Sequence, residues 1–372
     1  MKIGILTLPF NNNYGGYLQA YALMTVLKRM GYDVELIYRR HNKRPLKCRF
    51  LYIFKTLVKC ILRIPHGPLI PSLEYDHRHA GKMMMPFVDK NISPKTKPYF
   101  TTASMEKSCK DMYDVVIVGS DQVWRPIYVP NINDFFLKFI KDKNVKKIAY
   151  AASFGTATPE YTDFQKKECG KLISEFQAIS VREKSALKVM ESFGWQVNCK
   201  PQLVLDPTFL LPLKEYLKHI KLNRCDQIFC YVLDRTERTR ELILYAEKLL
   251  KLPCYEILKG VNEKTFLKPS IEIWLGNIYN ARFILTDSFH GMVFSIIFNK
   301  PFAVYVNKDR GADRFISLLS LIGLENRMIN DEQDIDNIIN KPINWDCVNE
   351  KLENLKKYSI NFLNESLKNS KR

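Results

Sequence analysis

His290 stands in the first turn after an apolar run, within the stretch FILTDSFHGMVFSIIFNKP that covers 283–301. Phe283 to Leu285 reads as a buried strand. Thr286, Asp287 and Ser288 are each competent to cap the helix that follows, in which Phe289, Val293, Ile296 and Ile297 recur at helical spacing. Asn299, Lys300 and Pro301 close that helix ahead of a second strand, Phe302 to Val306. In an open parallel sheet ligands bind at such a strand end, and the N–H groups of a helix's first turn face anions. An imidazole there can hold or move a proton near neutral pH. Gly291 would let a ligand approach the backbone, with Ser288 and Phe289 flanking it. The competing reading is a capped helix with a packed histidine.

Other chemistry-bearing residues recur at strand ends. Tyr113 to Val118 reads as a buried strand and runs into Gly119, Ser120, Asp121, Gln122 and Trp124. Polar groups followed by an indole suggest a ligand rim, with hydrogen bonds to hydroxyls and stacking on a sugar or base. The alternative is a loop whose aspartate caps a turn. Lys147 to Ser153 ends on Ser153, and Ile179 to Val181 is followed by Arg182 and Glu183. An arginine at a strand end suits bidentate binding of carboxylate or phosphate, against the alternative of an ion pair with Glu183 or a neighbour. Leu203 to Leu205 leads to Asp206. After Val306 the charged segment Lys308 to Arg314 contains Arg310 and Arg314. Near the start, Lys2 to Leu8 precedes the loop PFNNNYGG, carrying Asn13, Gly15 and Gly16, and a helix from Tyr17 to Met30. The two glycines would let N–H groups cradle a phosphate or carboxylate, or else make a tight turn.

The elements that must position these residues alternate between strand and helix. A second βα series runs from Ile228 to Leu233, Glu237 to Leu250, Cys254 to Leu258 and Ser270 to Asn280 into the His290 stretch. Two such series predict an α/β protein of two doubly wound, Rossmann-like domains facing across a cleft. The expected divisions are 1–210 and 211–344, with a helix over 345–372 bracing the first domain and a basic insertion over about 39–110.

The formal net charge is +18, and no acidic residue occurs between Glu35 and Glu74, an interval holding nine of the Lys and Arg residues. Within it Leu51, Phe54, Leu57, Val58, Ile61 and Leu62 share one helical face, with Lys55, Lys59 and Arg63 on another. That pattern fits a helix lying on an anionic membrane, or a surface helix with a solvated face. The cations interleave with aliphatic residues and form no nucleic-acid-binding module, so no nucleic-acid partner is expected. Nine cysteines without a CxxC pair or a Cys/His cluster predict reduced thiols and no zinc site. With neither a signal peptide nor an apolar run of about 18 residues, a cytoplasmic location is expected, with peripheral contact at the membrane's inner face.

VGSDQVW, AASFG, SVREKSAL, VLDPTFLL and TDSFHGMVFSIIFNKPF, in this order, resemble the polysaccharide pyruvyl transferase family, and NNNYGGYLQAYAL resembles its opening loop and helix. The resemblance implies a glycosyltransferase-B-like fold without a nucleotide-sugar donor. It implies phosphoenolpyruvate as co-substrate, a cell-surface sugar as acceptor, a pyruvate ketal as product, and no metal or other cofactor. The basic amphipathic block needs a surface, so the acceptor is expected to be lipid-linked. The resemblance assigns catalytic roles to His290 and Arg182. It also exposes a departure: Ser288 stands where many members carry an arginine, so Lys308, Arg310 or Arg314 is expected to supply the missing cation. A nucleotide-sugar-dependent glycosyltransferase of the same fold, or a non-catalytic basic protein that binds nucleic acid or a membrane surface, are the rival expectations.

Overall fold

The computed structural model describes residues 1–42, 46–62, 79–257, 267–306 and 311–368. Its first half contains β1 (Lys2–Leu6), α1 (Tyr14–Arg29), β2 (Asp33–Leu36), α2 (Leu46–Ile61), α3 (Met85–Asn91), α4 (Thr102–Cys109), β3 (Val115–Asp121), β4 (Lys146–Ala152), α5 (Asp163–Ile173), β5 (Ala178–Val181), α6 (Lys184–Ser192) and β6 (Gln202–Leu203). The second contains α7 (Leu213–Leu217), β7 (Ile228–Tyr231), α8 (Glu237–Leu250), β8 (Cys254–Glu256), α9 (Ile271–Asn280), β9 (Phe283–Thr286), α10 (Phe289–Ile297), β10 (Phe302–Tyr305), α11 (Asp313–Ile322), β11 (Met328–Ile329), α12 (Glu332–Asn340) and α13 (Trp345–Leu367).

Two parallel sheets result, ordered β2-β1-β3-β4-β5-β6 and β11-β10-β9-β7-β8. Their central strands are unbroken apolar runs because helices cover both faces; β3 (VVIVGSD) and β9 (FILT) are buried at every position. In each sheet the chain adds one neighbour to its first strand and then crosses to the other side. The order therefore reverses between β1 and β3 and between β7 and β9, and the loops diverge there to leave a crevice. The two crevices face each other, and this meeting of switch points organises the site.

The halves touch through specific contacts. Tyr14 of α1 stacks on Trp274 of α9 with ring centroids 4.9 Å apart, and its hydroxyl donates to the Pro269 carbonyl at 2.8 Å. Lys184 N–H at the start of α6 donates to Ser317 Oγ of α11 at 2.9 Å. Gly311 adopts φ +85°, and a Cβ there would lie 1.6 Å from the Gly155 carbonyl oxygen, so backbone meets backbone at the rim. Helix α13 crosses back to the first half. Phe362 and Leu363 are buried, Leu205 N–H donates to Ser359 Oγ at 3.0 Å, and Lys146 Nζ donates to the Ser366 carbonyl at 3.0 Å.

Two sequence expectations are corrected here. Arg314 belongs to α11 rather than to the charged loop before it. The cysteines are not all reduced thiols: neighbouring strands β7 and β8 bring Cys230 and Cys254 together as a disulfide, and six others among the described residues are free. Among the described residues no helix is long and apolar enough to cross a membrane.

Candidate active site

The site forms where two helices begin. α1 follows β1, and its N-cap Asn13 accepts a hydrogen bond from Gly15 N–H at 3.1 Å through Oδ1. α10 follows β9, and its N-cap Ser288 accepts from Gly291 N–H at 3.3 Å through Oγ. Each cap satisfies one first-turn donor, and both helices bring the positive end of their dipoles to the same cleft. Ser288 N–H donates to Thr286 Oγ1 at 3.0 Å, and Thr286 Oγ1 donates to the Tyr231 carbonyl at 2.6 Å, which ties the α10 start to β7.

The two helix starts are in contact. A Cβ on Gly15 would fall 1.9 Å from His290 Nδ1 and 2.2 Å from Cγ. Gly15 therefore makes room for the imidazole and is not a phosphate cradle, which corrects its expected binding role; Gly16, beside it, lines the cavity. Gly291 is likewise a packing residue, since a Cβ there would meet Thr286 Oγ1 at 2.5 Å.

Behind His290 lies a buried charge network. Arg182 Nη2 donates to Asp121 Oδ1 at 2.7 Å and Nη1 donates to Asp206 Oδ2 at 2.7 Å, with Glu183 3.8 Å from Nε. Asp206 also accepts from Ser120 Oγ at 3.3 Å, from Thr208 N–H at 3.1 Å and from Thr208 Oγ1 at 2.8 Å. His290 Nε2 approaches Asp206 Oδ2 at 3.6 Å. Burial pushes the Asp206 carboxyl up, but His290 and Arg182 outweigh it and hold the group well below the usual carboxylate range. Asp121 follows the same pattern: burial opposes ionisation, and Arg182, His290 and Arg314 together lower its pKa. Glu183 goes the other way, because burial outweighs its cationic neighbours.

This network corrects the expectation for Arg182. Its guanidinium is engaged by two carboxylates and lies 4.7 Å from the Phe289 ring centre; it does not reach the cavity wall. The ion-pair alternative holds, with partners from β3 and from the turn after β6 as well as Glu183. Asp206 and Ser120 are also held behind the wall, and Ser153, fully buried, accepts from Gly155 N–H at 3.0 Å. Trp124 is corrected more sharply. Its side chain has 0% exposure, its Nε1–H donates to the Phe135 carbonyl at 3.1 Å, and it stacks on Phe136, so the indole is core and not a rim.

A cavity of about 520 Å³ remains between the halves. The first half contributes Asn11 to Asn13, Gly16, Asp121, Gln122 and Tyr128 to its wall; the second contributes Lys268, Asp287 to His290, Arg314 and Phe315. Its cations come chiefly from the second half. Burial, reinforced by repulsion from Arg182, brings the Arg314 pKa down to about 10, so the group is charged at neutral pH at an electrostatic cost that a bound anion would relieve. Arg314 also lies 5.4 Å from the Phe289 ring centre. Lys268 Nζ donates to the Asn12 carbonyl at 3.0 Å and joins the two walls. Asp287 is fixed by N–H donors from Leu233 and Asp234, both at 2.7 Å. Lys308 and Arg310 lie outside the described residues. Among the described residues no cluster of His, Cys, Asp and Glu could hold a metal ion.

Sequence reasoning missed Lys268, Tyr128, Asn11 and Asn12. The asparagine pair was legible, since it adjoins Asn13 in the loop after β1. Nothing local marked Lys268, which reaches the site through the packing of the halves.

Two doubly wound halves, their switch points opposed and their helix starts meeting over a closed charge network, define a glycosyltransferase-B-like protein. The fold is similar to a UDP-GlcNAc 2-epimerase from Methanocaldococcus jannaschii solved with UDP-GlcNAc and UDP (16% identity, 96% of this chain and 100% of that one, TM-score 0.50). It is also similar to a putative UDP-N-acetylglucosamine 2-epimerase from Listeria monocytogenes (10% identity, 97% and 94% covered, TM-score 0.51). At these identities the likeness concerns the fold alone. No curated protein matches the sequence. Residues 13–309 match the polysaccharide pyruvyl transferase family, and the chain belongs to it.

Proposed function

We propose that the protein transfers the enolpyruvyl group of phosphoenolpyruvate to a sugar of a cell-surface polysaccharide or its lipid-linked precursor, closing a pyruvate ketal. The observation that carries this reading is the cavity itself. It offers a small polyanion two helix N-termini, Arg314 and Lys268, with one imidazole at the junction. Phosphoenolpyruvate carries a carboxylate and a phosphate, and both need such donors. A proton delivered to its methylene carbon makes C2 electrophilic. One sugar hydroxyl adds to C2, phosphate departs, and a second hydroxyl of the same sugar closes the ketal. Of the two hydroxyl protons, one is accounted for by the new methyl group and the other by the released phosphate. His290 is the acid and base of this sequence. Arg314 supplies the charge that Ser288 does not, and phosphoenolpyruvate is a co-substrate in a reaction that uses no other cofactor.

Helix α2 supports a membrane-borne acceptor. Phe54 is 66% and Ile61 79% exposed, Phe50, Leu57, Val58 and Leu62 are exposed with them, and Lys55 and Lys59 stand exposed alongside. An apolar face flanked by cations complements an anionic lipid surface, and we place the protein peripherally on the cytoplasmic side of the membrane.

The test is incubation of the protein with phosphoenolpyruvate and candidate lipid-linked glycans, reading phosphate release and a pyruvyl mass gain on the glycan. A donor screen that yields transfer only from a nucleotide sugar replaces the proposal with the rival glycosyltransferase reading.

A further inference from the structure

We infer that Asp206 is the positioning residue of His290, presented by the opposite half of the molecule, so that the reacting imidazole is fully aligned only when the two halves close. The kinetic part of this inference rests on the pyruvyl-transfer reading; the spectroscopic part rests on geometry alone.

Asp206 does not touch the ligand space. Its side chain is 1% exposed and stands outside the cavity wall. Both of its oxygens are fixed by groups of its own half: Oδ1 by the Thr208 N–H and hydroxyl, Oδ2 by Arg182 Nη1 and Ser120 Oγ. Three donors, with the Ser120 hydroxyl shared between this carboxylate and the Ala151 carbonyl, make a rigid, ionised acceptor. His290 belongs to α10 in the other half, and its Nε2 is buried without a hydrogen bond, 3.6 Å from Oδ2. A buried imidazole nitrogen left unbonded is costly, and the ionised oxygen beside it is the group that relieves the cost. The separation is within ion-pair range and beyond a hydrogen bond. Catalytic bonds of this kind are commonly long without substrate and shorten when a site closes.

The geometry sorts the two ring nitrogens. With Nε2–H directed at Asp206, the ring keeps its orientation across Gly15, and Nδ1 is left to exchange a proton with the ligand. In the proposed reaction the imidazolium gives its Nδ1 proton to the methylene carbon and keeps Nε2–H on Asp206. The attacking hydroxyl then returns a proton to Nδ1, and the ring is restored. A gap between the halves would part the His290 imidazole from the Asp206 carboxylate, coupling protonation of the donor to enclosure of the substrate.

The experiment uses the full chain. Nitrogen-15 spectra of His290 are expected to show the neutral ring protonated on Nε2 in the wild type, and to lose that preference in Asp206→Asn. Asp206→Asn is expected to lower kcat on the order of 100-fold while KM for phosphoenolpyruvate stays within about twofold, as for a residue that acts through the acid and not on the donor. Should Asp206→Asn fail to fold, Thr208→Val removes only the hydroxyl bond to Oδ1, and a fall in kcat of about fivefold with unchanged KM supports the same inference. A wild-type ring protonated on Nδ1, or a folded Asp206 variant that retains kcat, overturns it. Absence of any phosphoenolpyruvate turnover in the wild type removes the functional reading instead, and leaves the tautomer to decide on Asp206.

Discussion

Replacing Gly15 by alanine isolates the contact between the two helix starts. Gly15 lies within helix α1, so alanine suits its backbone and gains up to about 1 kcal/mol in helix propensity. The added methyl would sit 1.9 Å from His290 Nδ1, and to reach the 3.4 Å of ordinary contact the imidazole or the whole α10 start must shift by about 1.5 Å. Overpacking of this size costs about 1–3 kcal/mol, which the propensity gain partly offsets. A net change of about 1–2 kcal/mol moves the melting temperature by only a few degrees in a chain of this size. Catalysis is far less forgiving, because a misplacement of about 1 Å at a reacting group costs about 100-fold. Gly15→Ala is therefore expected to remain folded by thermal melt and circular dichroism while kcat for phosphate release drops about 100-fold or more. A variant with the wild-type rate would show that His290 does not react from the position it occupies over Gly15.

Further outcomes follow from the same geometry. Arg314→Ala is expected to raise KM for phosphoenolpyruvate about tenfold or more, since a charge-assisted bond to a buried anion is worth about 1.5–3 kcal/mol; unchanged KM in steady-state assays would remove Arg314 from donor binding. Trp124→Ala is expected to cost about 3–5 kcal/mol of stability in chemical denaturation, as a core deletion does, with donor KM unaffected in whatever protein remains folded. Asp206 and Asp121 have folded-state pKa values below their ordinary 3.8, so the stability they contribute is complete above about pH 3.8 and is lost as pH falls through the folded values. In acid unfolding followed by circular dichroism, Asp206→Asn should flatten the part of the stability curve below pH 3.8; a curve as steep as the wild type's would contradict the network.

The fold was legible because its signals are local. Strands such as VVIVG and FILT announce buried parallel strands by their unbroken apolar character, and two alternating series of strands and helices require two doubly wound sheets. The position of His290 was legible for the same reason: a cap, a helix and a preceding strand place it at a strand's carboxyl end, and the sheet order then makes that end a switch point. What failed depended on burial and on contacts between distant segments. A tryptophan after a strand reads as a stacking platform until the fold packs it under Phe136. Arg182 reads as an anion ligand until Asp121 and Asp206 arrive from 61 and 24 residues away. Gly15 reads as a phosphate loop until α10, from the other half, lays an imidazole on it. Lys268 carries no local signature at all.

The proposed function requires one cleft that receives one small polyanion. The most direct measurement is a crystal structure of the protein soaked with phosphoenolpyruvate. The account predicts the ligand between the starts of α1 and α10, its phosphate or carboxylate within hydrogen-bond reach of Arg314 and Lys268, and its methylene carbon facing His290 Nδ1. Phosphoenolpyruvate bound elsewhere, or bound in the cleft with His290 turned away from it, would contradict the account.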